Sequence, residues 1–354
     1  MNAKTDLKNY DLKGLVAFVE GLGQPAFRGR QIMGWLYRPG IRDFRQMTDI
    51  AKKFREILQE KACISHFTEP IMERSQDGSI KFGFRLEDGA LIESVLIPET
   101  DRNTLCLSSQ VGCSMRCAFC LTGTMGFIRN LTPSEIVNQV CAVQDFLLAE
   151  PQENRIGPAE VTNLVFMGMG EPLNNLDNLL IALSILTEPK GLDLTGRKIT
   201  VSTCGIAPKL KRLGENSTVN LAISLHAVDD ATRNQLMPVN TIYPLDVLLD
   251  ACRTYPMPKR RRIMFEYILL KGINDSDDQA LELARKLHKI PCKINLLPYN
   301  ESPNLPYRSP SPERVLAFQK ILLDKHFSVF IRNSRGSDIA AACGQLAGKS
   351  QPAL

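Results

Sequence analysis

The sequence predicts an α/β protein built on a parallel sheet. Strand-like and helix-like segments alternate over more than 200 residues after Thr104, from TLCLSSQV to SVFIRNS. Such alternation implies right-handed crossovers, because each strand must return to the same edge of the sheet. Periodicity alone leaves three architectures open, namely a full (β/α) barrel, a partial barrel and a doubly wound sheet.

Two further changes of period set the domain boundaries. Residues 1–68 carry apolar positions at helical spacing, as in FRGRQIMGWLY and DIAKKFREILQE, and predict a small helical N-terminal domain. Residues 69–100 alternate with a period of two around Asp88 and Gly89, which predicts a β-hairpin extension. Residues 101–343 then form the α/β core, and residues 344–354 a C-terminal tail.

Composition narrows the class of protein. A 44% hydrophobic content with 23% charged residues is typical of a soluble globular chain. The polar N-terminus does not resemble a signal peptide, and no apolar run approaches the ~18 residues of a membrane span. We therefore expect a cytoplasmic protein without membrane association, and nothing suggests more than a monomer. Ten cysteines in such a chain favour reduced, chemically active thiols over a disulfide framework.

Polar residues follow several of the predicted strands. GMGEP at 168–172, the pair Ser202 and Thr203, the run 224–226 (Ser-Leu-His) and the pair 299–300 (Tyr-Asn) each stand where an apolar strand ends. Ligands bind at the carboxyl ends of the strands in parallel α/β architectures. These residues therefore predict one pocket.

Three cysteines stand close together in CSMRCAFC, with the spacing C-x3-C-x2-C: Cys113, Cys117 and Cys120. Thiolates bind zinc and iron–sulfur clusters. A structural zinc needs four ligands and would borrow His226, Cys106 or Cys204 from elsewhere in the chain. A [4Fe–4S] cluster on three cysteines leaves one iron open to a chelating substrate such as S-adenosylmethionine (SAM). Zinc, a structural cluster and plain buried cysteines remain alternatives.

The same spacing after the first strand of a β/α barrel resembles the radical SAM enzymes. More closely, SSQVGCSMRCAFCLTGTMGFIRNLT, FMGMGEPLNN, TVSTCGI, AISLHA, INLLPYN and IRNSRGSDIAAACGQLA resemble the radical SAM RNA methyltransferases of the RlmN/Cfr family. The resemblance extends from FRGRQIMGWLY to Cys343. It implies a partial (β/α) barrel, one [4Fe–4S] cluster per chain on the three cysteines, and two SAM molecules per turnover.

The resemblance also implies an activity. It is methylation at C2 of an adenosine in 23S rRNA, at the peptidyl transferase centre, and in tRNA, at the adenosine 3′ of the anticodon. An electron donor such as flavodoxin is implied as a partner. One alternative is methylation at C8 of an rRNA adenosine, as in the second branch of the family. A non-catalytic iron–sulfur or zinc RNA-binding protein and a radical SAM enzyme with a small substrate are further alternatives.

Roles for single residues follow from the same resemblance. Cys343 takes a methyl group from SAM, and Cys106 later attacks the Cys343 sulfur, so that a transient disulfide releases the product. Glu93 accepts a proton. The residues implied to bind SAM are Gly170, Glu171, Ser202, Ser224, Leu225, His226 and Asn300. Because reactive cysteines must be thiolates, we expect accessible, electropositive surroundings for both.

The residues by themselves favour plainer interpretations. Cys343 and Cys106 would be core residues, Glu93 a solvent-facing strand residue, and His226 a hydrogen-bonded histidine at a strand end. We expect the other cysteines, including Cys204, to be structural. Basic residues that could contact RNA phosphates are Arg28, Arg30, Lys52, Lys53 and Arg55 in the N-terminal domain and the run KRRR at 259–262.

Overall fold

The computed structural model describes residues 4–303 and 305–346. The α-helices are α1 (Leu12–Gly21), α2 (Phe27–Leu36), α3 (Lys52–Lys61), α4 (Leu121–Thr124), α5 (Pro133–Ala149), α6 (Leu176–Thr187), α7 (Ala207–Asn216), α8 (Asp230–Leu236), α9 (Leu245–Arg253), α10 (Asp277–Leu287) and α11 (Pro312–Asp324). The strands are β1 (Thr5–Asp6), β2 (Ala62–Cys63), β3 (Ile71–Arg74), β4 (Ile80–Arg85), β5 (Leu91–Glu99), β6 (Arg102–Cys106), β7 (Gln110–Gly112), β8 (Phe127–Asn130), β9 (Asn163–Phe166), β10 (Ile199–Thr203), β11 (Asn220–Ser224), β12 (Ile263–Leu269), β13 (Cys292–Pro298) and β14 (Val329–Ile331).

The first part of the chain is helical, as its periodicity predicts. Asp11 caps α1 by accepting a hydrogen bond from the amide of Gly14 at 2.8 Å. Helices α1 and α2 pack closely because Gly29 brings the two backbones together, and a β-carbon there would lie 2.9 Å from Val16. The short parallel pair β1–β2 brings the start and the end of this region together. Its apolar faces continue into the main core.

One open ten-stranded sheet forms the body of the fold, in the order β14-β13-β12-β11-β10-β9-β6-β5-β4-β3. Strands β3 to β6 pair antiparallel, and the strands from β6 through β9 to β14 pair parallel. The predicted hairpin is β4–β5, and β6 joins it directly to the parallel strands. The sheet is therefore a partial barrel extended by a hairpin, which confirms the predicted fold class.

The two faces of this sheet differ in burial. Alternate residues of the parallel strands pack against the helices and are fully buried: Leu164, Phe166, Val201, Ile223, Phe265 and Tyr267. Residues between them point to the opposite, inner face, and four of these are only half-buried: Val165, Ser202, Ser224 and Met264. Because side chains alternate across a strand, polar residues in these runs fall on the face that lines the open interior.

The loop that holds the three cysteines starts from a separate two-stranded sheet, β7–β8. Gly112 ends β7 with a φ of 71°, and a β-carbon at this position would lie 1.9 Å from the carbonyl oxygen of Gly126. The amide of Cys113 donates to that same carbonyl at 2.8 Å. Only glycine allows this close approach, so the sequence fixes where the cysteine loop leaves the sheet.

No helix in the described ranges is long and apolar enough to cross a membrane. Of the predicted C-terminal tail, residues 344–346 are described, and residues 347–354 lie outside the described residues.

Candidate active site

The strand register places four predicted site residues on one face of the sheet. Cys106 of β6 pairs with Val95 of β5, which pairs in turn with Lys81 of β4. Glu93 lies two residues before Val95 and therefore points to the same side. On the parallel strands, Ser202 and Ser224 belong to this inner face as well. The register thus gathers residues far apart in sequence around one interior.

Glu93 is buried, with 2% of its surface exposed, so the interpretation as a solvent-facing residue is wrong. Its Oε1 lies 4.0 Å from Nζ of Lys81, and the two side chains are 3% and 8% exposed. The hydroxyl of Ser108 donates to the backbone carbonyl of Glu93 at 2.5 Å. A buried carboxylate is stable only with a compensating charge or donors, and Lys81 provides that charge.

The cysteine loop lies against the strand ends. The sulfur of Cys117 is 3.7 Å from the sulfur of Cys204, which follows β10. Burial raises the pKa of the Cys113 thiol to about 12, and negative charge on Cys117 and Cys120 adds to the shift. The effect of these charges on Cys113 indicates that the three thiols lie near one another. It also means that a positively charged metal centre would stabilise their thiolate forms.

These residues suit an iron–sulfur cluster. Three thiolates are the donors that such clusters take, and the loop lies among apolar side chains, including Met237 and Leu270, that limit access of water. Over residues 4–303 and 305–346, no three side chains of His, Cys, Asp or Glu converge closely enough to hold a single metal ion. A four-iron cube binds its thiolates through separate irons, so convergence on one point is not required.

The segment that carries Cys343 lies between the cysteine loop and the strand ends. The amide of Leu121, directly after the loop, donates to the carbonyl of Gly344 at 2.7 Å. The hydroxyl of Thr122 donates to the carbonyl of Leu346 at 2.6 Å. On the other side, Nδ2 of Asn300 lies 3.4 Å from the carbonyl of Cys343 itself. Cys343 is therefore held beside both parts of the predicted site.

Cys343 and Cys106 are both free cysteines. Burial raises the pKa of the Cys106 thiol well above its ordinary value, and charge on Cys343 raises it further. Cys343 as a residue is exposed to solvent, while its thiol is partly desolvated by nearby protein. Burial raises the pKa of this thiol to about 11, and the charges of Glu266 and Cys120 add to the shift.

The expectation of accessible surroundings is wrong for Cys106 and right for Cys343, which is exposed, and the expectation of electropositive surroundings is wrong for both thiols. Cys106 is 8% exposed, and the charged groups that influence Cys343 are negative rather than positive. The physical reason is that Cys106 is buried on the inner face of the sheet, where the neutral form is favoured, and that negative groups act on both thiols. A cationic ligand such as SAM would be needed to favour the thiolate.

GMGEP forms the turn after β9. Gly170 has a φ of 100°, and a β-carbon there would lie 2.5 Å from Gln110. The Glu171 carboxylate accepts hydrogen bonds from the Leu173 amide at 2.9 Å, the Thr203 hydroxyl at 2.7 Å and the Cys204 amide at 2.7 Å. These occupy three of the ~4 acceptor positions of a carboxylate. The side chain therefore mainly ties the turn to the end of β10.

The other residues predicted to bind SAM also lie at the strand ends. Ser202 and Ser224 are half-buried on the inner face, whereas Leu225 is fully buried. Nδ1 of His226 accepts from the amide of Ile268 at 3.0 Å, and its ring lies edge-on to Phe119 at 4.9 Å. Burial, together with the charge of Arg233, lowers the pKa of His226 to about 3. His226 is thus a neutral histidine with its Nδ1 already engaged by the backbone.

Arg233 is a site residue that sequence reasoning missed. It is fully buried in α8 and donates to the carbonyls of Leu225 at 3.0 Å, Cys204 at 2.8 Å and Ser224 at 3.1 Å. The ends of β10 and β11 are therefore joined by one guanidinium group. The only signal in the sequence is an arginine in a short helix after AISLHA, which resembles any surface arginine.

Glu266 is a second residue that was missed. It pairs with Ser224 across the sheet, which places it on the inner face, and Asn295 donates to its Oε1 at 2.8 Å. Burial raises the pKa of Glu266 to about 7, while the Asn295 bond and the charge of Arg332 oppose the shift. In FEYILL it looks like a polar interruption of a strand, and only the register shows that it lies on the inner face.

A pH dependence of stability follows for Glu266. The folded-state pKa of Glu266 lies above that of the unfolded chain. Its contribution to the free energy of unfolding is therefore complete below about pH 4 and is lost as pH rises through about 7. Between about pH 5 and pH 8, we expect the free energy of unfolding of Glu266→Gln to rise by about 2 kcal/mol relative to that of the native chain. Urea unfolding at both pH values measures this difference. An equal change in the free energy of unfolding of the two proteins between these pH values would contradict the prediction.

The predicted RNA-contacting residues lie in two places. Arg30, Lys52 and Lys53 are exposed on the helical N-terminal region, and Arg28 stacks on the exposed ring of Phe27 at 4.8 Å. The run at 259–262 precedes β12 and therefore lies at the amino ends of the parallel strands. This is the edge opposite the site, so the structure does not bring that run to the candidate active site.

Comparisons with known proteins agree with this arrangement. Residues 107–284 match the radical SAM superfamily, and residues 5–64 match the ribosomal RNA large subunit methyltransferase N-terminal domain. The crystal structure of a radical SAM methyltransferase from Sphaerobacter thermophilus superposes with a TM-score of 0.88 at 42% identity, over 98% of this chain and all of that one. The partial barrel with its cysteine loop thus defines a radical SAM methyltransferase fold.

Curated relatives narrow the class. The dual-specificity RNA methyltransferase RlmN of Desulfotalea psychrophila is 71% identical over 97% of this chain and 95% of its own length. The RlmN of Geobacter sulfurreducens is 53% identical over 99% of this chain and 94% of its own length. The chain belongs to the RlmN family of radical SAM RNA methyltransferases.

Proposed function

We propose that the protein methylates C2 of adenosine in 23S rRNA and in tRNA, with Cys343 as the carrier of the transferred carbon. One observation supports this above all. Hydrogen bonds to the carbonyls of Cys343 and Gly344 hold this segment beside the cysteine loop, and negative charge on Cys343 raises the pKa of the Cys106 thiol. A carrier cysteine needs both neighbours. SAM bound beside the cysteine loop would methylate it, and the Cys106 thiol would release its product.

We propose that Cys113, Cys117 and Cys120 hold one [4Fe–4S] cluster per chain, and that two SAM molecules are used per turnover. When bound, the cluster and SAM supply a transferable methyl group and the one-electron chemistry that makes it reactive. The strand-end residues described above orient SAM. Since Glu171 has most of its acceptor positions engaged, Ser202 and Ser224 offer the freer polar groups at this edge.

The protein's own thiols solve a problem set by the substrate. Adenine C2 is an electron-poor ring carbon without a lone pair, so it cannot displace a methyl group from SAM directly. The Cys343 sulfur can, because a thiolate is a strong nucleophile. The one-electron chemistry that SAM would supply removes one hydrogen from the methyl group on Cys343, and that carbon then bonds to C2, which joins RNA and protein. Attack of Cys106 on the Cys343 sulfur forms a disulfide and breaks the bond from that sulfur to the carbon, which keeps the electron pair, takes up a proton and leaves with the RNA as a methyl group.

Glu93 is proposed to accept the proton that leaves C2. Glu93→Gln keeps the size of the side chain but cannot take a proton, so we expect methylated RNA to form about 10²–10⁴-fold more slowly. Methylation of Cys343, which precedes this step, should proceed normally. Peptide mass spectrometry for Cys343 and nucleoside analysis for the RNA measure the two separately. A product rate equal to that of the native enzyme would contradict this role.

The partners follow from the same proposal. The helical N-terminal region with its exposed basic side chains docks the RNA through phosphate contacts. The target base leaves its stack to reach the inner face of the sheet, since Cys106 is buried there. A flavodoxin-like protein supplies electrons, and the enzyme acts as a monomer in the cytoplasm.

Nucleoside mass spectrometry of RNA treated with the purified enzyme and SAM tests the function. The proposal predicts adenosine methylated at C2, identified against C2 and C8 standards. Product at C8 would overturn the assigned position and favour the other branch of the family. No methylated nucleoside, with no SAM cleavage, would favour a binding protein instead.

A further inference from the structure

We propose that Lys81 is a positioning residue that ties the segment carrying Cys343 to the strand carrying Glu93. This inference rests on the proposed roles of Glu93 and Cys343 in the reaction. The contacts of the Lys81 ammonium group keep these two residues in one site.

Lys81 lies on the inner face of β4. In the antiparallel register it stands directly opposite Glu73 of β3, and Glu93 of β5 is its diagonal neighbour on the other side. Its Nζ is 3.0 Å from Oε1 of Glu73 and 4.0 Å from Oε1 of Glu93. Glu73 is 42% exposed at its side chain, whereas Lys81 and Glu93 are nearly inaccessible.

The third partner of Lys81 belongs to the C-terminal segment. Nζ donates to the backbone carbonyl of Ile339 at 2.7 Å. Ile339 is four residues before Cys343 in sequence. A hydrogen bond from a charged donor is stronger than one between neutral groups, particularly where water is excluded. One buried cation therefore contacts both the strand of Glu93 and the segment of Cys343.

Other contacts show that this segment is fastened to the hairpin at the same place. The Asp338 carboxylate accepts from the hydroxyl of Ser75 at 2.6 Å and from the amide of Gln76 at 3.0 Å. The amide of Gly336 donates to the Asp77 carboxylate at 2.7 Å. These contacts lie at the turn before β4, near the surface. Lys81 is the contact that continues this attachment into the interior, next to Glu93.

The consequence is a higher local concentration of the Cys343 thiol at Cys106. Without the Lys81 bond, the Ile339 carbonyl loses its charged donor, and the chain between Ile339 and Cys343 samples more positions. A property that depends on the meeting of the two thiols, such as the ease of forming their disulfide, should therefore fall. This property can be measured without RNA or turnover.

The experiment equilibrates full-length, cluster-reconstituted protein with anaerobic glutathione buffers of graded oxidation. Glutathione disulfide accepts the two electrons and two protons of the thiol pair, which yields the protein disulfide and two reduced glutathione molecules. Alkylation and peptide mapping then give the fraction of unmethylated Cys343 that is bonded to Cys106. We expect Lys81→Met to lower the equilibrium constant about tenfold or more, and Lys81→Arg to restore most of it.

Glu73→Gln is the matched control. It removes the exposed partner of Lys81 and leaves the Ile339 contact in place, so we expect a change within about twofold. The inference would be overturned if the disulfide equilibrium constant fell as far in Glu73→Gln as in Lys81→Met. A native-like constant in Lys81→Met would overturn it as well. If circular dichroism shows that Lys81→Met does not fold, Lys81→Gln, which is too short to reach Ile339, replaces it under the same criteria.

The result can be separated from that of the proposed function. A fall of the disulfide constant in the Lys81 variants, with no methylated RNA from the native protein, would support the positioning role and reject the function. Methylated RNA from the native protein, with unchanged constants in the variants, would reject the positioning role alone.

Discussion

Cys106→Ala should trap the enzyme on its RNA. In this variant Cys343 can still be methylated and can still transfer its carbon to adenine, because both steps use the Cys343 sulfur. Release requires attack by a second thiol, and the structure places Cys106 within electrostatic reach of Cys343. We therefore expect a covalent protein–RNA adduct to accumulate and multiple turnover to cease. A denaturing gel of labelled RNA, followed by nuclease digestion and mass spectrometry, measures the adduct.

Cys141→Ala is the control for this experiment. Cys141 is a half-buried free thiol on α5, outside the site, and its removal should leave turnover intact without an adduct. If Cys106→Ala gives neither adduct nor product while Cys343 is methylated normally, Cys106 acts before release and its proposed role is wrong. Continued turnover in Cys106→Ala would also contradict that role.

Cys117→Ala should abolish all SAM cleavage. Three cysteines bind three irons of a four-iron cluster and leave one iron open. Removing one cysteine deprives a second iron of its protein ligand. We expect the purified variant to lose most of its iron and to form neither methylated Cys343 nor methylated RNA. Iron analysis and chromatography of the SAM cleavage products measure both effects.

Cys204→Ala is a matched control for Cys117→Ala, because the two sulfurs lie 3.7 Å apart in the same buried cluster. Cys204 is outside the C-x3-C-x2-C group, so its variant should keep iron and SAM cleavage. If Cys204→Ala loses iron to the same extent, the cluster has a different ligand set. Full iron content in Cys117→Ala would contradict the assignment as well.

Much of the fold follows from local sequence patterns. The alternation after Thr104 predicts β6 and the strands from β9 to β14, since buried parallel strands are short apolar runs. The turn residues Asp88 and Gly89 predict the β4–β5 hairpin for the same local reason. What these patterns do not reveal is that β6 joins hairpin and parallel strands into one sheet. Strand pairing is a long-range property, and several orders are compatible with the same periodicity.

The site shows the same division between local and long-range information. The cysteine loop and the strand-end motifs could be predicted because each is a compact pattern in the sequence. Glu93 and Glu266 could not be placed, because alternation gives two faces without showing that the inner face lines a cavity. Arg233 and Lys81 are isolated basic residues, and only their buried partners distinguish them from surface charges.

The most direct test of the central claim is the mass of the peptide that contains Cys343, taken from freshly purified, anaerobically handled protein. A carrier role for Cys343 predicts a peptide heavier by one methyl group, located on the Cys343 sulfur by fragmentation. A thiol that remains unmodified after cluster reconstitution and incubation with SAM would contradict the carrier role of Cys343, and with it the mechanism proposed for this site.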